Sequence, residues 1–266
     1  MRVGVVGHVE WIEFVRVGRV PEPGDIVQAA EVWGEPAGGG AVAAVQLARL
    51  AGSATLFTAL GDDELGHRSY DELTNLGVRV ETAWRAEPQR RGFTYLDAGG
   101  ERTITLLGEK LRPRKAEPLP WDDLCEFDVV YFTGGDANAI RAARAARVLV
   151  ATSRELRWLK DAAVELDALV GSSSDPSERY EHGDLDPPPR YVFRTEGKRG
   201  GWIEPDGARW KAAVLPGPPA DVYGAGDSFA AYLAFALARG RGPEEAAQFG
   251  ARGAAEALTR HGAHGR

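Results

Sequence analysis

The chain has 266 residues, of which 44% are hydrophobic, and its formal net charge is −7 at pH 7. This composition predicts one large globular domain, and the acidic balance argues against a nucleic-acid-binding protein while leaving room for a local basic pocket that holds a phosphorylated ligand. No apolar run approaches the roughly 20 residues that span a bilayer, and the amino terminus has no secretory cleavage pattern, so we expect a cytoplasmic protein without membrane partners. The single cysteine, Cys125, excludes an internal disulfide and a cysteine-based metal cluster.

The first third of the chain predicts a buried strand followed by several half-exposed strands. Val3 to Val6 form a short apolar run that Gly7 closes. Residues 14–20 alternate apolar and polar side chains, a turn follows at residues 21–24, and an extended pattern resumes through residue 33. Residues 91–108 contain two further β-rich arms, which residues 98–100 join as a hairpin. We expect these pieces, about residues 13–34 and 91–107, to form a small sheet beside the main core.

The middle of the chain alternates between strand and helix patterns. The segments FDVVYFTGG, RVLVAT and LDALVGS predict buried strands, while ANAIRAARAA and RELRWLKDAA predict helices between them. Successive units of this kind form a mostly parallel sheet that is covered on both faces. Ligands of such sheets bind at the carboxyl ends of the strands. Further along, RYVFRT predicts another strand, GGWIEPDGARWKAAV predicts a hairpin that turns at residues 205–207, and the last residues, TRHGAHGR, are expected to be partly frayed.

A glycine-rich turn, ADVYGAGDSF at residues 220–229, precedes a predicted helix. Apolar positions follow the turn at helical spacing, and Gly240 supplies a stop signal. The small residues Gly224, Ala225 and Gly226 would let an anion approach the free amides of the first helical turn. The neighbouring carboxylate of Asp227 is suited to accept a proton from an attacking hydroxyl. The alternative from the residues alone is that Asp227 only caps the helix.

A second glycine turn, PAGGGAVAAVQLARLAG at residues 36–52, also feeds a helix. Taken alone, this turn predicts a helix of small residues that packs closely on the sheet. Together, the two turns and the segments between them resemble the signature regions of the PfkB, or ribokinase, family of carbohydrate kinases. The matching blocks occur in the family's order along nearly the whole chain: VPEPGDIVQA, GGGAVAAVQLARLAG with ALGDDELG and ELTNLGV, RTEGKRGG, and DVYGAGDSF.

The resemblance implies a fold and a set of roles on the nucleotide side of a kinase site. The implied fold is a ribokinase-like three-layer α/β/α domain over residues 1–266, with a mostly parallel sheet and a small β-sheet lid. Asp227 would be the general base, and the amides around Gly224, Ala225 and Gly226 would form an anion hole for the transferring phosphoryl group. The remaining nucleotide residues are those that border the phosphates and ribose of ATP: Thr195, Gly197, Gly200, Asp221 and Ser172. For Asp221 a turn-stabilising role is the alternative, and for the Thr195 segment a simple strand-ending turn.

On the acceptor side the sequence departs from the family pattern. The implied substrate residues are Glu10, Trp11, Gly38, Gly39, Val42 and Asp136. Val42 stands where the family usually has an asparagine that binds sugar hydroxyls, and Glu10 and Trp11 occupy the region of a missing aspartate. Trp11 would either stack on a ring of the substrate or pack beneath the lid. The segment of Asp136 is either an edge of the substrate site or a loop that caps a helix.

The family's magnesium motif is altered as well. An Asn-x-x-Glu sequence in the family corresponds here to Ser172 and Asp175, and Glu178 is within reach as a substitute. Asp175 would be the magnesium ligand, although its position before Pro176 also suits a plain helix cap.

These observations predict an ATP- and Mg²⁺-dependent kinase that transfers the γ-phosphoryl group to a hydroxyl of a sugar or a sugar-like small molecule. The alternatives are a nucleoside kinase and a catalytically weak ligand-binding or regulatory protein on the same scaffold. A dinucleotide oxidoreductase is disfavoured because the first glycines do not follow G-x-G-x-x-G and a strand pattern follows them. Lids of the family often pair between subunits, which predicts a homodimer through the lid sheet.

Overall fold

The structure is a computed structural model that describes residues 1–99 and 101–265. Its helices in these ranges are α1 (Gly38–Ala51), α2 (Glu64–Asn75), α3 (Ala137–Ala143), α4 (Leu156–Ala162), α5 (Ala225–Ala238) and α6 (Pro243–Ala257). The first seven strands are β1 (Val3–Val6), β2 (Glu10–Arg16), β3 (Glu31–Ala37), β4 (Ala54–Gly61), β5 (Val78–Arg85), β6 (Arg91–Leu96) and β7 (Arg102–Leu107). The others are β8 (Val129–Phe132), β9 (Leu149–Thr152), β10 (Ala168–Ser172), β11 (Val192–Thr195), β12 (Gly201–Glu204) and β13 (Arg209–Trp210).

The main sheet has the order β13-β12-β11-β10-β9-β8-β1-β4-β5. From β11 to β5 all neighbouring strands run parallel, and only β12 and β13 are antiparallel additions at one edge. Helices cover both faces: α1, α2, α5 and α6 lie on one, α3 and α4 on the other. The three-layer α/β/α fold with a mostly parallel sheet is therefore confirmed.

The central strands are apolar throughout because both of their faces are covered. All four residues of β1 are buried, and so are all four of β8 and of β9. The helix α5 is also buried over most of its surface, since it packs against the sheet, α1 and α6. The apolar side chains of α5 therefore pack against several elements rather than against the sheet alone. This packing holds the first turn of α5 at the carboxyl edge of the sheet.

The small sheet, which we call the lid, has the order β3-β2-β6-β7. Its inner side chains Ile12, Phe14, Trp33 and Leu96 pack against Val42 and Tyr223 of the main body. The hairpin of β6 and β7 is antiparallel as predicted. Gly100, which belongs to the predicted turn, lies outside the described residues. The assignment of residues 1–266 to a single domain stays a prediction.

The first lid strands begin and end elsewhere than the alternation predicted. The strand β2 starts at Glu10 and ends at Arg16 instead of spanning residues 14–20, and β3 starts at Glu31 instead of residue 25. Residues 17–30 form a loop in which the Asp25 carboxylate accepts hydrogen bonds from Arg19 and from the amide of Glu22. Ile26 is fully exposed at 101%. Alternation without a partner strand is not enough to form a strand here.

Residues 262–264 near the carboxyl terminus are buried, which corrects the expectation of fraying for these three residues, whereas His261 and Gly265 are exposed and Arg266 lies outside the described residues. The amide of Ala263 donates to Glu35 Oε1 at 2.9 Å, and the amide of Gly262 donates to Asp221 Oδ2 at 2.8 Å. The ring of His264 is buried and its Nε2 binds the carbonyl oxygen of Pro36 at 2.5 Å. The tail sequence is polar and glycine-rich, but two of its amides bind buried carboxylates and the His264 ring binds a carbonyl oxygen, and only the fold brings these partners together.

Candidate active site

A cleft of about 640 Å³ opens between the lid and the carboxyl ends of the parallel strands. Its walls come from segments that are far apart in the chain: both predicted glycine turns, the ends of β8 to β11, and the lid strands β6 and β7 with their flanking residues. This is the edge where ligands of parallel sheets bind. Among the predicted site residues, the cleft is lined by Asp227, Gly224, Ala225, Gly226, Thr195, Gly197, Ser172, Asp175, Glu10, Gly38 and Gly39.

The first turn of α5 forms part of the cleft wall with its amides uncapped. Gly224 precedes the helix in the left-handed conformation, with φ of 73°, and no side chain caps the helix. A β-carbon at Gly224 would lie 3.1 Å from Val42, whereas one at Gly226 would meet nothing within 4 Å. Because the first amides of a helix have no intrahelical acceptor, this open turn can bind an anion.

The carboxylate of Asp227 lies at the end of this turn. No donor hydrogen-bonds to it among the residues that the structure describes, so it is not a simple helix cap. Burial raises the pKa of Asp227 to about 6, although the nearby positive charges of Arg154 and Arg102 favour its charged form. A carboxylate with this pKa is ionised at neutral pH and is a better proton acceptor than an ordinary aspartate.

The two glycine turns meet at this carboxylate. The amide of Gly38 donates to the Tyr223 hydroxyl oxygen at 3.3 Å. A β-carbon at Gly39 would lie 3.0 Å from Asp227 Oδ1 and would overlap Thr133. Glycine at this position therefore leaves room beside the reactive oxygen. Tyr223 bridges the turns, and the space beside Gly226 stays open.

Two of the predicted nucleotide residues do not reach the cleft. Gly200 has φ of 87°, and the space beside it is filled by the backbone of β13 and the residue after it. Asp221 is 2% exposed and accepts hydrogen bonds from the amides of Tyr223 and Gly262, each at 2.8 Å. Asp221 therefore ties the anion-binding turn to the carboxyl-terminal tail, which is its turn-stabilising alternative.

Three of the predicted acceptor residues also lie outside the cleft. Trp11 is 3% exposed, and the Arg68 guanidinium lies 4.3 Å from the centre of its ring, so Trp11 packs beneath the lid. Val42 is completely buried between the lid and the turn of Gly224. Asp136 caps α3 by accepting the amide of Ala139 at 2.7 Å. Each of these side chains is committed to packing or to a helix terminus, and none of them lines the cleft.

The altered magnesium motif is organised by an arginine. Arg154 Nε donates to Glu178 Oε1 at 2.6 Å, and its Nη2 lies 3.1 Å from Asp175 Oδ2. Glu178 Oε2 accepts the amide of Ser172 at 2.7 Å. Asp175 also accepts hydrogen bonds from the hydroxyl and amide of Ser177, which, with Arg154, hold the pKa of Asp175 below its ordinary value. Asp175 thus acts as a local cap and still borders the cleft.

The carboxylates of this motif could hold Mg²⁺ only together with phosphate oxygens of a bound nucleotide and water. Within the described ranges, no group of three or more His, Cys, Asp or Glu side chains could hold a metal by itself. Mg²⁺ in phosphoryl-transfer sites is usually held by one or two carboxylates together with water and substrate phosphates. Asp175 and Glu178 both line the cleft and supply that number of carboxylates.

Several cleft residues were missed by the sequence reasoning. They are the polar side chains that enter from strand ends and from the lid: His8, Arg90, Arg102, Lys110, Thr133, Thr152, Arg154 and Glu155. His8, Thr133, Thr152, Arg154 and Glu155 sit at or just after the ends of parallel strands, which is a signal that could have found them. The lid residues Arg90, Arg102 and Lys110 carry no comparable local signal.

No helix among the described residues is both long and apolar enough to cross a bilayer. Comparison with curated proteins finds a relative from Halopiger xanaduensis described as an ATP-dependent ribose-1-phosphate kinase, which is 28% identical over 248 residues and covers 87% of this chain and 83% of the relative.

Solved structures share the fold. A microbiome-derived acarbose kinase matches with a TM-score of 0.81 and 23% identity, covering 100% of this chain and 95% of that one. Ribokinase from Thermotoga maritima matches with a TM-score of 0.78 and 21% identity, covering 99% of this chain and 95% of that one.

The model of the pfkB family carbohydrate kinases matches residues 2–164 and 141–265, which together span almost the whole sequence. That match agrees with the lid, the open first turn of α5 and the unbonded carboxylate beside it. The chain belongs to the PfkB family of carbohydrate kinases.

Proposed function

We propose that this protein transfers the γ-phosphoryl group of ATP to a hydroxyl of a sugar or a sugar-like small molecule. The observation that carries the proposal is the pairing of uncapped α5 amides with the free carboxylate of Asp227 in one cleft. The relative from Halopiger xanaduensis supports the choice of ATP as donor, since its name describes an ATP-dependent kinase.

In the proposed reaction, the acceptor hydroxyl oxygen attacks the γ-phosphorus with a lone pair. The bond between the γ-phosphorus and the bridging oxygen breaks, and its electron pair leaves with ADP. Asp227 takes the hydroxyl proton. The amides of Ala225, Gly226 and Asp227 stabilise the charge on the transferring group because they are already oriented and unpaired.

The nucleotide would lie along the edge formed by Ser172, Thr195 and Gly197, which border the same cleft. Asp175 and Glu178 would hold Mg²⁺ together with the ATP phosphates. The ion would supply positive charge that offsets the charge of the phosphates. Arg154 pairs with both carboxylates, so one of their two negative charges stays unbalanced before Mg²⁺ and ATP bind.

Replacement of Asp227 by Asn tests the proposal. Because the amide cannot accept the hydroxyl proton, we expect kcat for the best acceptor to fall by about 10²–10⁴-fold while ATP affinity stays near that of the wild type. ADP release measures kcat, and calorimetric titration with a non-hydrolysable ATP analogue measures the affinity. An unchanged kcat would show that Asp227 is not the base.

Thermal unfolding supplies the control for this variant. The folded-state pKa of Asp227 is raised to about 6 by burial, so the ionised side chain costs stability, and the cost develops as pH rises from about 4 to about 6. We therefore expect Asp227→Asn to unfold at or above the wild-type temperature at pH 7.5. At pH 4 most of the difference should disappear, because the folded-state carboxyl is then protonated and the unfolded-state carboxyl, with a pKa of 3.8, is about half protonated.

The alternative functions make different predictions in a panel of sugars and nucleosides. A nucleoside kinase would phosphorylate nucleosides in preference to sugars. A catalytically weak binding or regulatory protein would bind a ligand without Mg²⁺-dependent ADP formation. The loss of the family asparagine at Val42 motivates this second alternative, whereas the intact turn of Gly224 to Asp227 favours an active enzyme.

A homodimer formed through the lid sheet and a cytoplasmic location also remain proposals. The dimer is supported by the lid's edge strand β7, all six residues of which are exposed.

A further inference from the structure

The acceptor end of the cleft contains a cluster of cations that the proposed transfer step does not use. Arg90 Nη1 lies 3.0 Å from Glu10 Oε1. Lys110 Nζ and Arg112 Nε lie 3.2 and 3.4 Å from the two oxygens of Glu155. Arg90, Lys110 and both carboxylates line the cleft, whereas Arg112 does not line it but acts electrostatically on Lys110. We call these three cations the basic cluster.

The three cations of the basic cluster carry more positive charge than the neighbouring Glu10 and Glu155 can balance. Three cations share Glu10 and Glu155, so one positive charge is in excess even when both acids are ionised. Isolated positive charge at low exposure is costly unless a ligand or partner neutralises it. The excess therefore points to an anionic ligand.

Hydrogen-bond donors of the basic cluster also indicate an anionic ligand. The Nε atom of Arg90 is buried and has no acceptor among the described residues, although the side chain lines the cleft. Lys110 has three donors, and Glu155 is its hydrogen-bond partner. Both side chains are mostly buried, with 14% and 20% of their surface exposed. Donors held in this way are suited to the several oxygen atoms of a phosphate group.

The basic cluster and the cations near the transferring group are different side chains, although Arg90, Lys110 and Arg154 all act on Glu10. Arg154 and Arg102 are the cations whose charge acts on Asp227, whereas Lys110, Arg90 and Arg112 act on His8. His8 lies between these regions: its Nδ1 donates to the Thr133 carbonyl at 3.2 Å, and its Nε2 is 3.7 Å from Glu10 Oε1. Burial and the three cations keep the pKa of His8 well below its ordinary value.

A neutral His8 presents an unprotonated Nε2, because its Nδ1 proton is committed to the carbonyl of Thr133. Nε2 and the carboxyl group of Glu10 can therefore bind hydroxyl groups of a sugar. From the transfer end to the lid, the cleft thus offers a base at Asp227, hydroxyl-binding atoms at His8 and Glu10, and the basic cluster.

We infer that the acceptor is a sugar that already carries a phosphate group, and that Arg90 and Lys110 bind this phosphate while a hydroxyl at the other end of the molecule faces Asp227. The inference rests on the proposed function. The reaction would then form a sugar bisphosphate, with the proton of the attacking hydroxyl taken by Asp227. A phosphate monoester fits better than a carboxylate because it has up to two negative charges and three terminal oxygens.

The test compares matched acceptors and matched variants. The acceptors are ribose and fructose, each beside its monophosphates, with gluconate as a carboxylate. We expect kcat/KM for at least one monophosphate to exceed that of its parent sugar and of gluconate by about 100-fold. Arg90→Gln and Lys110→Gln should each raise KM for that monophosphate by about tenfold or more, and KM for ATP should change less than twofold.

Arg91→Gln is the matched control, since Arg91 is adjacent in sequence but pairs with Glu13 and does not line the cleft. It should leave both KM values unchanged. Thermal unfolding shows whether each variant is folded. If Arg90→Gln is unstable, Arg90→Lys replaces it, because lysine keeps the positive charge opposite Glu10. Its expected effect is a smaller rise in the same KM.

Preference for a neutral sugar or for gluconate would overturn the inference, and so would variants that weaken neutral and phosphorylated acceptors equally. Failure of the proposed function is distinguishable from these results. If no acceptor yields ADP, calorimetric titration without ATP still compares binding of each sugar with that of its monophosphate. Absence of binding by every monophosphate at millimolar concentration would also overturn the inference.

Discussion

Two properties of Asp227 have different origins. Its position beside open amides depends on adjacent residues, and its raised pKa depends on residues that are distant in the sequence. The adjacent residues Gly224 to Gly226 place the carboxylate beside open amides, and this arrangement is local to the turn. Its raised pKa comes from burial, which outweighs the opposing positive charge of Arg154, and from the negative charge of Glu178, and both of these residues belong to distant segments. The sequence therefore predicted the presence of the carboxylate in a site but contained no information about its proton affinity.

The pH dependence of the reaction should report this pKa. Because the base must be unprotonated, kcat/KM should decline as pH falls through about 6 and approach a tenfold loss per pH unit below it. Steady-state rates between about pH 5 and pH 8, with circular dichroism to check folding, measure the profile. A profile that stays flat down to pH 5 would mean that Asp227 is not the titrating base or that its pKa is near the ordinary value of 3.8.

Other single residues show where sequence reasoning fails. Trp11 and Val42 were assigned to the substrate from their alignment positions, and Asp136 from its place after a strand, yet their side chains serve packing or a helix terminus. A family position locates the backbone, but the direction of a side chain depends on which neighbours surround it. Arg154 is the reverse case. No sequence motif predicted it as a site residue, yet the structure places it between two acids of the cleft.

At the scale of elements, the contact between α1 and the link from β1 to β2 positions one side of the site. Gly40 donates its amide to the His8 carbonyl oxygen at 3.0 Å. A β-carbon at Gly40 would lie 2.5 Å from that oxygen and 2.8 Å from the carbonyl carbon of Gly7. Both neighbours are backbone atoms, so neither can move without displacing a whole element.

Gly40→Ala should therefore destabilise the protein by about 1–3 kcal/mol and lower its melting temperature by several degrees. Differential scanning calorimetry measures the change. Gly18→Ala is the control, because a β-carbon at Gly18 meets nothing within 4 Å, and it should be near neutral. Equal melting temperatures for wild type and Gly40→Ala would show that α1 is less closely held than the structure indicates.

The lid elements also show the limit of local patterns. Alternation predicted β2 and β3, but their bounds are decided by pairing, since β2 gains β3 on one side and β6 on the other. Residues 25–29 have the same kind of pattern and no partner strand, and they remain a loop.

At the scale of the whole molecule, the lid carries apolar side chains that its own fold leaves uncovered. Val32 is 65% exposed and Leu107 is 48% exposed. Apolar residues on an open sheet edge favour pairing with a second copy.

Light scattering should therefore give a mass of about twice 28.6 kDa, the mass of one chain. The variant Leu107→Glu, on the edge strand β7, should shift the protein toward monomer, because like charges from the two copies would then meet where their β7 strands pair. Val214→Glu, at a position that is 92% exposed and outside the lid, should not change the mass. A wild-type protein that is monomeric at micromolar concentration would contradict the lid-mediated dimer.

The sequence by itself determined the elements and their class. Buried strand patterns, helical spacing after glycine turns and the order of the family blocks are properties of neighbouring residues, and they led to the parallel sheet, the lid hairpin and Asp227. The tertiary structure alone decided which charged side chains line the cleft. His8, Arg90, Lys110 and Glu155 are separated by tens of residues and meet only because strand order and the lid bring them together. The same reason explains the ordered tail, since its amides bind carboxylates of residues 35 and 221 that no local pattern could associate with it.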